Sequence, residues 1–314
     1  MTKHHVLTFE TYDDWDIKPM EAAYTLYNLP YGAALDTLPS DAFSKVEAFA
    51  FRGHGALSAE IMDAFPNLGM VANYGVGFDT IDVAHATAKG IRVTNTPDVL
   101  TEDVADLAVG MVIAGSRGMI GASDWIRSGN WAKRGAFGLQ SKVSGKRVGI
   151  VGLGRIGRAV AERLTPFGCD LFYFARSAKD TPGWTHFDNI VSMAEAVDIL
   201  VICVSGGPQT IDLVGKDAIL ALGPEGLLIN ASRGTTIDEA ALLDALETGA
   251  LGAAALDVFL NEPHIDPRFL KLDNVLLQPH QSSGTVETRK VMGQLQRDNL
   301  AAYFAGKPLL TPVK

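Results

Sequence analysis

The chain has few cysteines, no long apolar run and no excess of positive charge. Its two cysteines, Cys169 and Cys203, lie apart on predicted strands, which favours reduced core thiols over a disulfide or a metal pair. No apolar run approaches the roughly 20 residues of a membrane-spanning helix, and no basic leader precedes an apolar segment. The net charge of −9 disfavours nucleic-acid and anionic-membrane partners. We therefore expect a cytoplasmic protein without a metal, nucleic-acid or membrane partner.

Short apolar runs alternate with amphipathic stretches along most of the chain. This alternation predicts an α/β fold with parallel sheets, and 314 residues are enough for two domains. The predicted strands are 6–9, 46–51, 70–73, 91–94, 148–151, 170–174, 199–204, 227–230, 253–257 and 275–278. The main predicted helices are 56–64, 81–88, 101–117, a helix from 155 that ends before Gly168, 239–247 and 286–305.

The strongest local signal is the pattern Gly152-x-Gly154-x-x-Gly157, which follows a β-branched run. Apolar residues recur every fourth position after it, as in a helix. A turn of this kind between a strand and a helix binds a pyrophosphate, because glycine lets the backbone approach the ligand and the helix N-terminus attracts the anion. We therefore predict that the cofactor phosphates bind at Gly152, Leu153, Gly154, Arg155, Ile156 and Gly157.

The end of the next predicted strand lacks the acid that holds the ribose 2′-hydroxyl of NAD. Asp170 lies at the other end of that strand, and Arg176 and Ser177 occupy the expected place. A guanidinium and a hydroxyl can pair with a 2′-phosphate instead. The sequence therefore predicts NADP (NADPH) as the preferred cofactor, with NAD as the alternative. The competing interpretation is that Arg176 and Lys179 are solvated surface charges.

Three polar residues, Arg233, Glu262 and His280, follow predicted strands at the sheet edge where α/β folds bind ligands. A planar guanidinium can hold a carboxylate through two hydrogen bonds, and histidine can carry a proton near neutral pH. A carboxylate beside an imidazole favours its charged form. Each residue alone is more typical of a surface charge or a loop residue, but the set is what reduction of a 2-keto acid requires.

Four motifs follow one another along the chain: the glycine pattern, Ala-Ser-Arg-Gly at 231–234, Leu-Asp-Val-Phe followed by Asn-Glu-Pro at 256–263, and Pro-His at 279–280. In this order they resemble the D-isomer-specific 2-hydroxyacid dehydrogenase family, and the resemblance extends over nearly the whole chain. The segment 94–106 is similar to that of the glyoxylate and hydroxypyruvate reductase branch of this family.

The resemblance implies an NAD(P)-dependent oxidoreductase acting on CH-OH donors, with a role for each matching residue. Arg233 is then the substrate anchor, His280 the acid/base and Glu262 its partner. Asp257 is expected near the nicotinamide carboxamide, and the amides of Val76 and Gly77 at the substrate carboxylate. We also assign Val204 and Ala231 to the cofactor and Arg52, Gly53 and His54 to the substrate. The loop 52–55 departs from common family patterns, and Arg52 and His54 are candidates to bind a polar or anionic tail, although His54 is equally typical of a loop residue bonded to its own loop.

The final helix is expected to return to the first domain, so that the cofactor domain is an insertion. We predict two Rossmann-like or flavodoxin-like domains with parallel sheets: a substrate domain of residues 1–98 plus 285–314 and an NAD(P)-binding domain of residues 99–284. The substrate is expected to react in a cleft between them. The resemblance also implies a homodimer in which the segment with Trp125 and Trp131 reaches the partner subunit.

We therefore expect an NADPH-preferring reductase of small 2-keto acids, with glyoxylate or hydroxypyruvate as the leading substrates. The alternatives within the class are 4-hydroxyphenylpyruvate and 2-ketogluconate reductases and, least favoured, a phosphoglycerate dehydrogenase. From a different class, nucleotide-sensing corepressors share the fold.

Overall fold

The structure, a computed structural model, describes residues 3–30, 32–53 and 55–313. The chain forms two compact units, Met1–Leu100 with Ser283–Lys314, and Thr101–Ser282. The second unit therefore interrupts the first in sequence, and the predicted α/β class with two parallel sheets and an inserted domain is confirmed. The second unit spans residues 101–282, whereas the sequence predicts 99–284 for the inserted domain.

The first unit is built on a five-stranded parallel sheet. Its strands are β1 (His5–Phe9), β2 (Thr25–Leu29), β3 (Ala48–Phe51), β4 (Met70–Asn73) and β5 (Arg92–Thr94). The helices are α1 (Asp14–Ala23), α2 (Ala42–Lys45), α3 (Ala59–Asp63), α4 (Val83–Ala88) and, after the second unit, α12 (Val286–Phe304). The strand order β2-β1-β3-β4-β5 is that of flavodoxin-like folds, and it changes direction between β1 and β3.

The second unit is built on a seven-stranded parallel sheet. Its strands are β6 (Arg147–Val151), β7 (Asp170–Phe174), β8 (Thr185–Phe187), β9 (Ile199–Ile202), β10 (Leu227–Asn230), β11 (Ala253–Leu256) and β12 (Val275–Leu277). The helices are α5 (Thr101–Ser116), α6 (Met119–Arg127), α7 (Asn130–Arg134), α8 (Arg155–Leu164), α9 (Ile190–Ala196), α10 (Lys216–Leu222) and α11 (Glu239–Thr248). The order β12-β11-β10-β9-β6-β7-β8 reverses between β6 and β9, which is the ligand crevice of a Rossmann-type sheet.

Two helices of the first unit begin later than the sequence predicted. Leu57 and Ile81 form a parallel β-bridge, which keeps both residues extended. Helix α3 can therefore begin only after Ser58, and α4 begins after Asp82, whose side chain accepts a hydrogen bond from the His85 N–H. The predicted starts at 56 and 81 were wrong because this long-range pairing overrides the local helical pattern.

No single helix among residues 3–30, 32–53 and 55–313 is long and apolar enough to cross a membrane. Helices α5 and α6, which meet at a bend of 59°, reach that length and composition only as a pair.

The end of the chain is tied to the first unit by a buried amide on α12. Asn299 is fully buried and donates to the Leu295 carbonyl and to the Thr311 hydroxyl, both at 2.9 Å. Its oxygen accepts from the N–H of Leu310 at 3.0 Å. The Thr311 hydroxyl in turn donates to the carbonyl of Asn95 at 2.6 Å. One side chain thus joins a helix, the terminal segment and the residue after β5.

We expect Asn299→Ala to lower the free energy of unfolding by about 2–4 kcal/mol, because it leaves several buried polar groups without partners. Urea unfolding of the variant and the parent measures the loss. Gln294→Ala is the control, since Gln294 is exposed on the same helix and its bonds are to the half-buried side chains of Arg297 and Asp298. Equal losses for the two variants would contradict this role of Asn299.

Candidate active site

The glycine turn lies at the switch point of the second sheet, between the end of β6 and the start of α8. Gly152 has φ +95, and a Cβ there would lie 2.6 Å from a Val204 methyl. A Cβ on Gly157 would lie 2.0 Å from the carbonyl oxygen of Gly152. Both positions therefore require glycine, the first for its backbone conformation and the second for the close packing of α8 on the turn.

Gly154 differs from its two neighbours in the pattern, because no atom lies within 4 Å of a Cβ built there. Gly154 is the N-cap of α8, a helix of ten residues whose first N–H groups have no partner within the helix. Open space at the N-terminus of a helix in the crevice of a parallel sheet fits a pyrophosphate. The residues present thus fit a dinucleotide at the predicted turn.

The loop after β7 is held by a buried tyrosine, Tyr173, which is not among the predicted site residues. The Tyr173 hydroxyl accepts from the N–H of Lys179 at 2.8 Å and donates to the Lys179 carbonyl at 3.2 Å. Arg176 and Ser177 lie exposed on the loop that Tyr173 closes. The alternation of buried and more exposed residues along β7 places Tyr173 in the core. No pattern in the sequence of β7 indicates that the Tyr173 hydroxyl binds the loop at Lys179.

Arg233 follows β10 in a turn held by Asn230. The Asn230 amide donates to the Arg233 carbonyl at 2.9 Å, and its oxygen accepts from the Ser232 N–H at 3.0 Å. The Ser232 hydroxyl donates to the carbonyl of Val204 in the loop after β9. Ala231 is buried in the same turn. Local Asn-to-backbone bonds of this kind fix the backbone from which the partly buried Arg233 side chain projects.

His280 and Glu262, 18 residues apart in sequence, are joined by a hydrogen bond. Nδ1 of His280 lies 2.7 Å from Oε2 of Glu262, and the two side chains are 24% and 17% exposed. The second carboxylate oxygen accepts from the Phe259 N–H at 2.8 Å. Because an ionised carboxylate can only accept, Nδ1 is the donor, and Nε2 is the ring nitrogen that can exchange a proton with a substrate.

Asp257, after β11, holds the loop that carries His280. Its fully buried carboxylate accepts from the N–H groups of Gln281 at 2.7 Å and Ser282 at 2.9 Å, and from the Ser282 hydroxyl. Its carbonyl accepts from the His280 N–H at 2.9 Å. His280 has φ +54, which is uncommon for a residue other than glycine. The Asp257 bonds stabilise this conformation, and its expected contact with the nicotinamide carboxamide stays a prediction.

The predicted carboxylate-binding amides lie in the first unit, in the loop after β4. The Asn73 amide donates to the carbonyls of Gly75 at 3.1 Å and Gly77 at 2.8 Å, and the Asn95 amide donates to the Val76 carbonyl at 2.9 Å. Within the described residues, the N–H groups of Val76 and Gly77 donate to no acceptor of the chain. Fixed carbonyls with free N–H groups are what binding an anion through the backbone requires.

The other predicted substrate residues follow β3. Arg52 donates to the Thr11 carbonyl at 2.9 Å. Gly53 lies against the carboxyl of Glu10, which a Cβ at this position would strike. His54 lies outside the described residues.

Both cysteines are free thiols. Burial raises the pKa of the Cys203 thiol to about 12, so it stays protonated at neutral pH. Among the residues that the structure describes, no three His, Cys, Asp or Glu side chains form a group that would hold a metal ion.

A glycine turn at the switch point of a seven-stranded parallel sheet is typical of a dinucleotide-binding protein. Comparison with known proteins identifies its class as an oxidoreductase. Residues 109–282 match the family model for the D-isomer specific 2-hydroxyacid dehydrogenase NAD-binding domain. The chain belongs to the D-isomer-specific 2-hydroxyacid dehydrogenase family, as predicted, and is an NAD(P)-dependent oxidoreductase.

Three relatives cover most of the chain. A hydroxyphenylpyruvate reductase of Plectranthus scutellarioides is 48% identical over 85% of this chain and 85% of its own. A 2-ketogluconate reductase of Gluconobacter oxydans is 42% identical over 94% and 93%. The structure of an NADPH-dependent glyoxylate/hydroxypyruvate reductase from Sinorhizobium meliloti, in complex with NADP and malonate, is 42% identical, with a TM-score of 0.93 over 99% of this chain and 97% of that one.

The glycine turn gives a matched pair of substitutions. We expect Gly157→Ala to lower the melting temperature by several degrees, about 1–3 kcal/mol of stability, because the new methyl strikes the Gly152 carbonyl. Gly154→Ala adds a methyl in open space, so the apoprotein should melt as the parent does while its Kd for the dinucleotide rises. Thermal melts with and without NADPH separate the two effects. A Gly154→Ala variant that binds NADPH as tightly as the parent would contradict a phosphate site here.

Proposed function

We propose that the protein is an NADPH-preferring reductase of small 2-keto acids to D-2-hydroxy acids, with glyoxylate or hydroxypyruvate as its substrate. The observation that carries this proposal is the His280–Glu262 contact of 2.7 Å at the ends of the same parallel sheet that presents Arg233 and the glycine turn. A bound nicotinamide would supply the hydride to the keto carbon of the substrate.

Arg233 is the proposed substrate anchor. Its guanidinium can donate two parallel hydrogen bonds to a carboxylate and the adjacent keto oxygen, which fixes the substrate and draws electron density from the carbon under attack. The N–H groups of Val76 and Gly77, in the first unit, are proposed to bind a substrate carboxylate through the backbone. Both sets of donors recognise the 2-keto acid group rather than the tail of the substrate.

His280 is the proposed acid, and Glu262 sets its orientation. The carboxylate binds Nδ1–H, so Nε2 is the atom that donates a proton to the substrate oxygen as the alcohol forms. In the reverse direction, the neutral ring accepts the proton from the hydroxyl group.

The cofactor preference rests on the loop after β7. Residues 175–179 contain one arginine, one serine and one lysine but no acid, and the Lys179 ammonium lies 3.4 Å from the Ser177 hydroxyl. Residues 175–179 offer donors to a 2′-phosphate and no acceptor carboxylate to a ribose diol. The relative from Sinorhizobium meliloti is described as NADPH-dependent.

Two substrates compete with glyoxylate and hydroxypyruvate in this proposal. The relatives from Plectranthus scutellarioides and Gluconobacter oxydans are reductases of hydroxyphenylpyruvate and 2-ketogluconate. Oxidation of NADPH at 340 nm with each keto acid in turn ranks them by kcat/KM.

We propose a homodimer formed through the segment that contains α6 and α7. Large apolar side chains are exposed there, with Ile120 57%, Ile126 56% and Trp131 62% exposed. Large apolar side chains left exposed on one segment are typical of an interface between subunits. Trp125, by contrast, donates to the Gly135 carbonyl at 2.9 Å and so serves the segment itself.

We expect His280→Ala to lower kcat by about 10²–10⁴-fold and to change KM much less, since the lost proton donor acts in the transition state. Steady-state kinetics with glyoxylate measures both constants. His264→Ala is the control, because His264 is exposed two residues after Glu262. Turnover at the parental rate in His280→Ala would remove His280 from the reaction.

Arg176→Ala should lower kcat/KM for NADPH by about tenfold or more and leave the value for NADH within about twofold, because only NADPH carries the phosphate that the guanidinium binds. Lys307→Ala, which removes an exposed charge of the first unit, should change neither value. Equal kcat/KM values for NADPH and NADH in the parent enzyme would refute the preference itself.

A further inference from the structure

The sheet of the first unit has a ligand crevice of its own. Its strand order changes direction between β1 and β3, and α/β sheets bind ligands outside the carboxyl ends of the strands at such a point. The loops that follow β1, β3 and β4 bring together Tyr12, Asp13, Arg52 and Tyr74. This group lies on the same edge of the sheet as the amides of Val76 and Gly77.

Arg52 is held in this crevice mainly by aromatic rings. Its guanidinium carbon lies 5.5 Å from the centre of the Tyr12 ring and 5.0 Å from that of Tyr74. It donates one hydrogen bond to the Thr11 carbonyl, and its nearest carboxylate, that of Asp13, lies at 3.5 Å and is 41% exposed. The rings fix the position of the Arg52 guanidinium. Because a guanidinium has five N–H donors, the bond to Thr11 and the contact with Asp13 leave donors for a ligand.

A second guanidinium lies against the same Tyr74 ring. Arg289, in the first turns of α12, places its guanidinium carbon 5.9 Å from the ring centre. Burial lowers the pKa of Arg289 from its ordinary value, and no carboxylate of the described residues lies within 4.0 Å of its guanidinium nitrogens. Burial also raises the pKa of Tyr74 to about 12, so its neutral hydroxyl donates to the Arg289 carbonyl at 2.7 Å.

The acids near this crevice are already engaged. Asp16 pairs with Arg297, Asp13 lies beside Arg52, and the Glu10 carboxyl lies against Gly53. Arg289 therefore remains as a partly buried cation without an ion-pair partner among the described residues. Both guanidinium groups lie against the same aromatic ring, and each can donate to a planar anion such as a carboxylate.

We propose that Arg52 and Arg289 bind a second carboxylate at the tail of the substrate, so that the enzyme favours 2-keto diacids over 2-keto acids with neutral tails of the same shape. The proposal rests on the proposed function, since the Val76 and Gly77 amides in the adjoining loop would hold the first carboxylate. Arg52 and Arg289 then determine the substrate range and take no part in the proton or hydride transfer.

The test compares two keto acids of matched shape, oxaloacetate and 4-methyl-2-oxopentanoate. Oxaloacetate ends in a second carboxylate, and 4-methyl-2-oxopentanoate has an isopropyl group in its place. We expect kcat/KM in the parent to favour oxaloacetate by at least about tenfold, the effect of one charge-assisted hydrogen bond. Arg289→Gln should reduce this ratio by about tenfold. Lys290→Gln removes the neighbouring exposed charge, which lies over Trp15, and should leave the ratio unchanged.

Binding without turnover gives a second measurement. Succinate should inhibit the parent competitively at least about tenfold more tightly than 4-methylpentanoate, and Arg289→Gln should remove the difference. A melt of each variant verifies that the fold is retained, and Arg52→Gln replaces Arg289→Gln if the latter does not fold.

The outcomes separate this proposal from the proposed function. If the parent reduces glyoxylate but prefers the neutral-tailed acid, or prefers a polyhydroxylated 2-keto acid over the diacid, the diacid site is refuted and the reductase stands. If the kcat/KM ratio of oxaloacetate to 4-methyl-2-oxopentanoate is unchanged in Arg289→Gln and Arg52→Gln, these residues do not bind the second carboxylate. Failure to reduce any 2-keto acid with either nicotinamide cofactor refutes the proposed function instead.

Discussion

Every pair of named strands in the two sheets runs parallel, so each strand must be followed by a crossover before the next can pair. All strands of a sheet then end at the same edge, and the loops at that edge collect side chains that are distant in sequence. Arg233, Glu262 and His280 follow three consecutive strands, β10, β11 and β12. Parallel pairing is the physical reason why residues 233 to 280 can form one site.

Pairing alone does not orient these side chains, and buried polar groups complete the arrangement. Asp257 carries a charge with no exposed surface, which is costly unless hydrogen bonds compensate it. Two backbone N–H groups and a hydroxyl do so, and all three come from the loop after His280. A left-handed φ at a histidine costs of order 1–2 kcal/mol, and charge-assisted bonds of about 1.5–3 kcal/mol each exceed it. The conformation of His280 thus depends on a residue from the adjacent strand.

The sequence was sufficient to predict features whose physical cause is local, such as the glycine turn with its flanking strand and helix and the missing acid after β7. The family resemblance extended this to the three polar residues proposed to form the catalytic site.

Features that depend on distant pairing were not predicted. Strand β2 is an edge strand with mostly exposed or half-buried residues, so it lacks the apolar pattern of its neighbours, and neither it nor α1 was predicted. The starts of α3 and α4 were wrong because Leu57 pairs with Ile81. The contact between Tyr74 and Arg289 joins residues 215 positions apart, and no local pattern indicates it.

The two crevices differ in what holds their functional groups, and this difference bears on how substrate range can change. Around Arg233 and His280, backbone hydrogen bonds from Asn230 and Asp257 fix the chain, so substitutions there disturb several bonds at once. Arg52 and Arg289 are positioned largely by stacking on tyrosine rings, which tolerates other side chains because an aromatic face imposes no donor or acceptor pattern. Arg52 and Arg289, in the crevice of the first unit, can therefore be replaced without displacing the residues proposed to carry out the reaction. A family with one chemistry and many substrates requires this separation of roles.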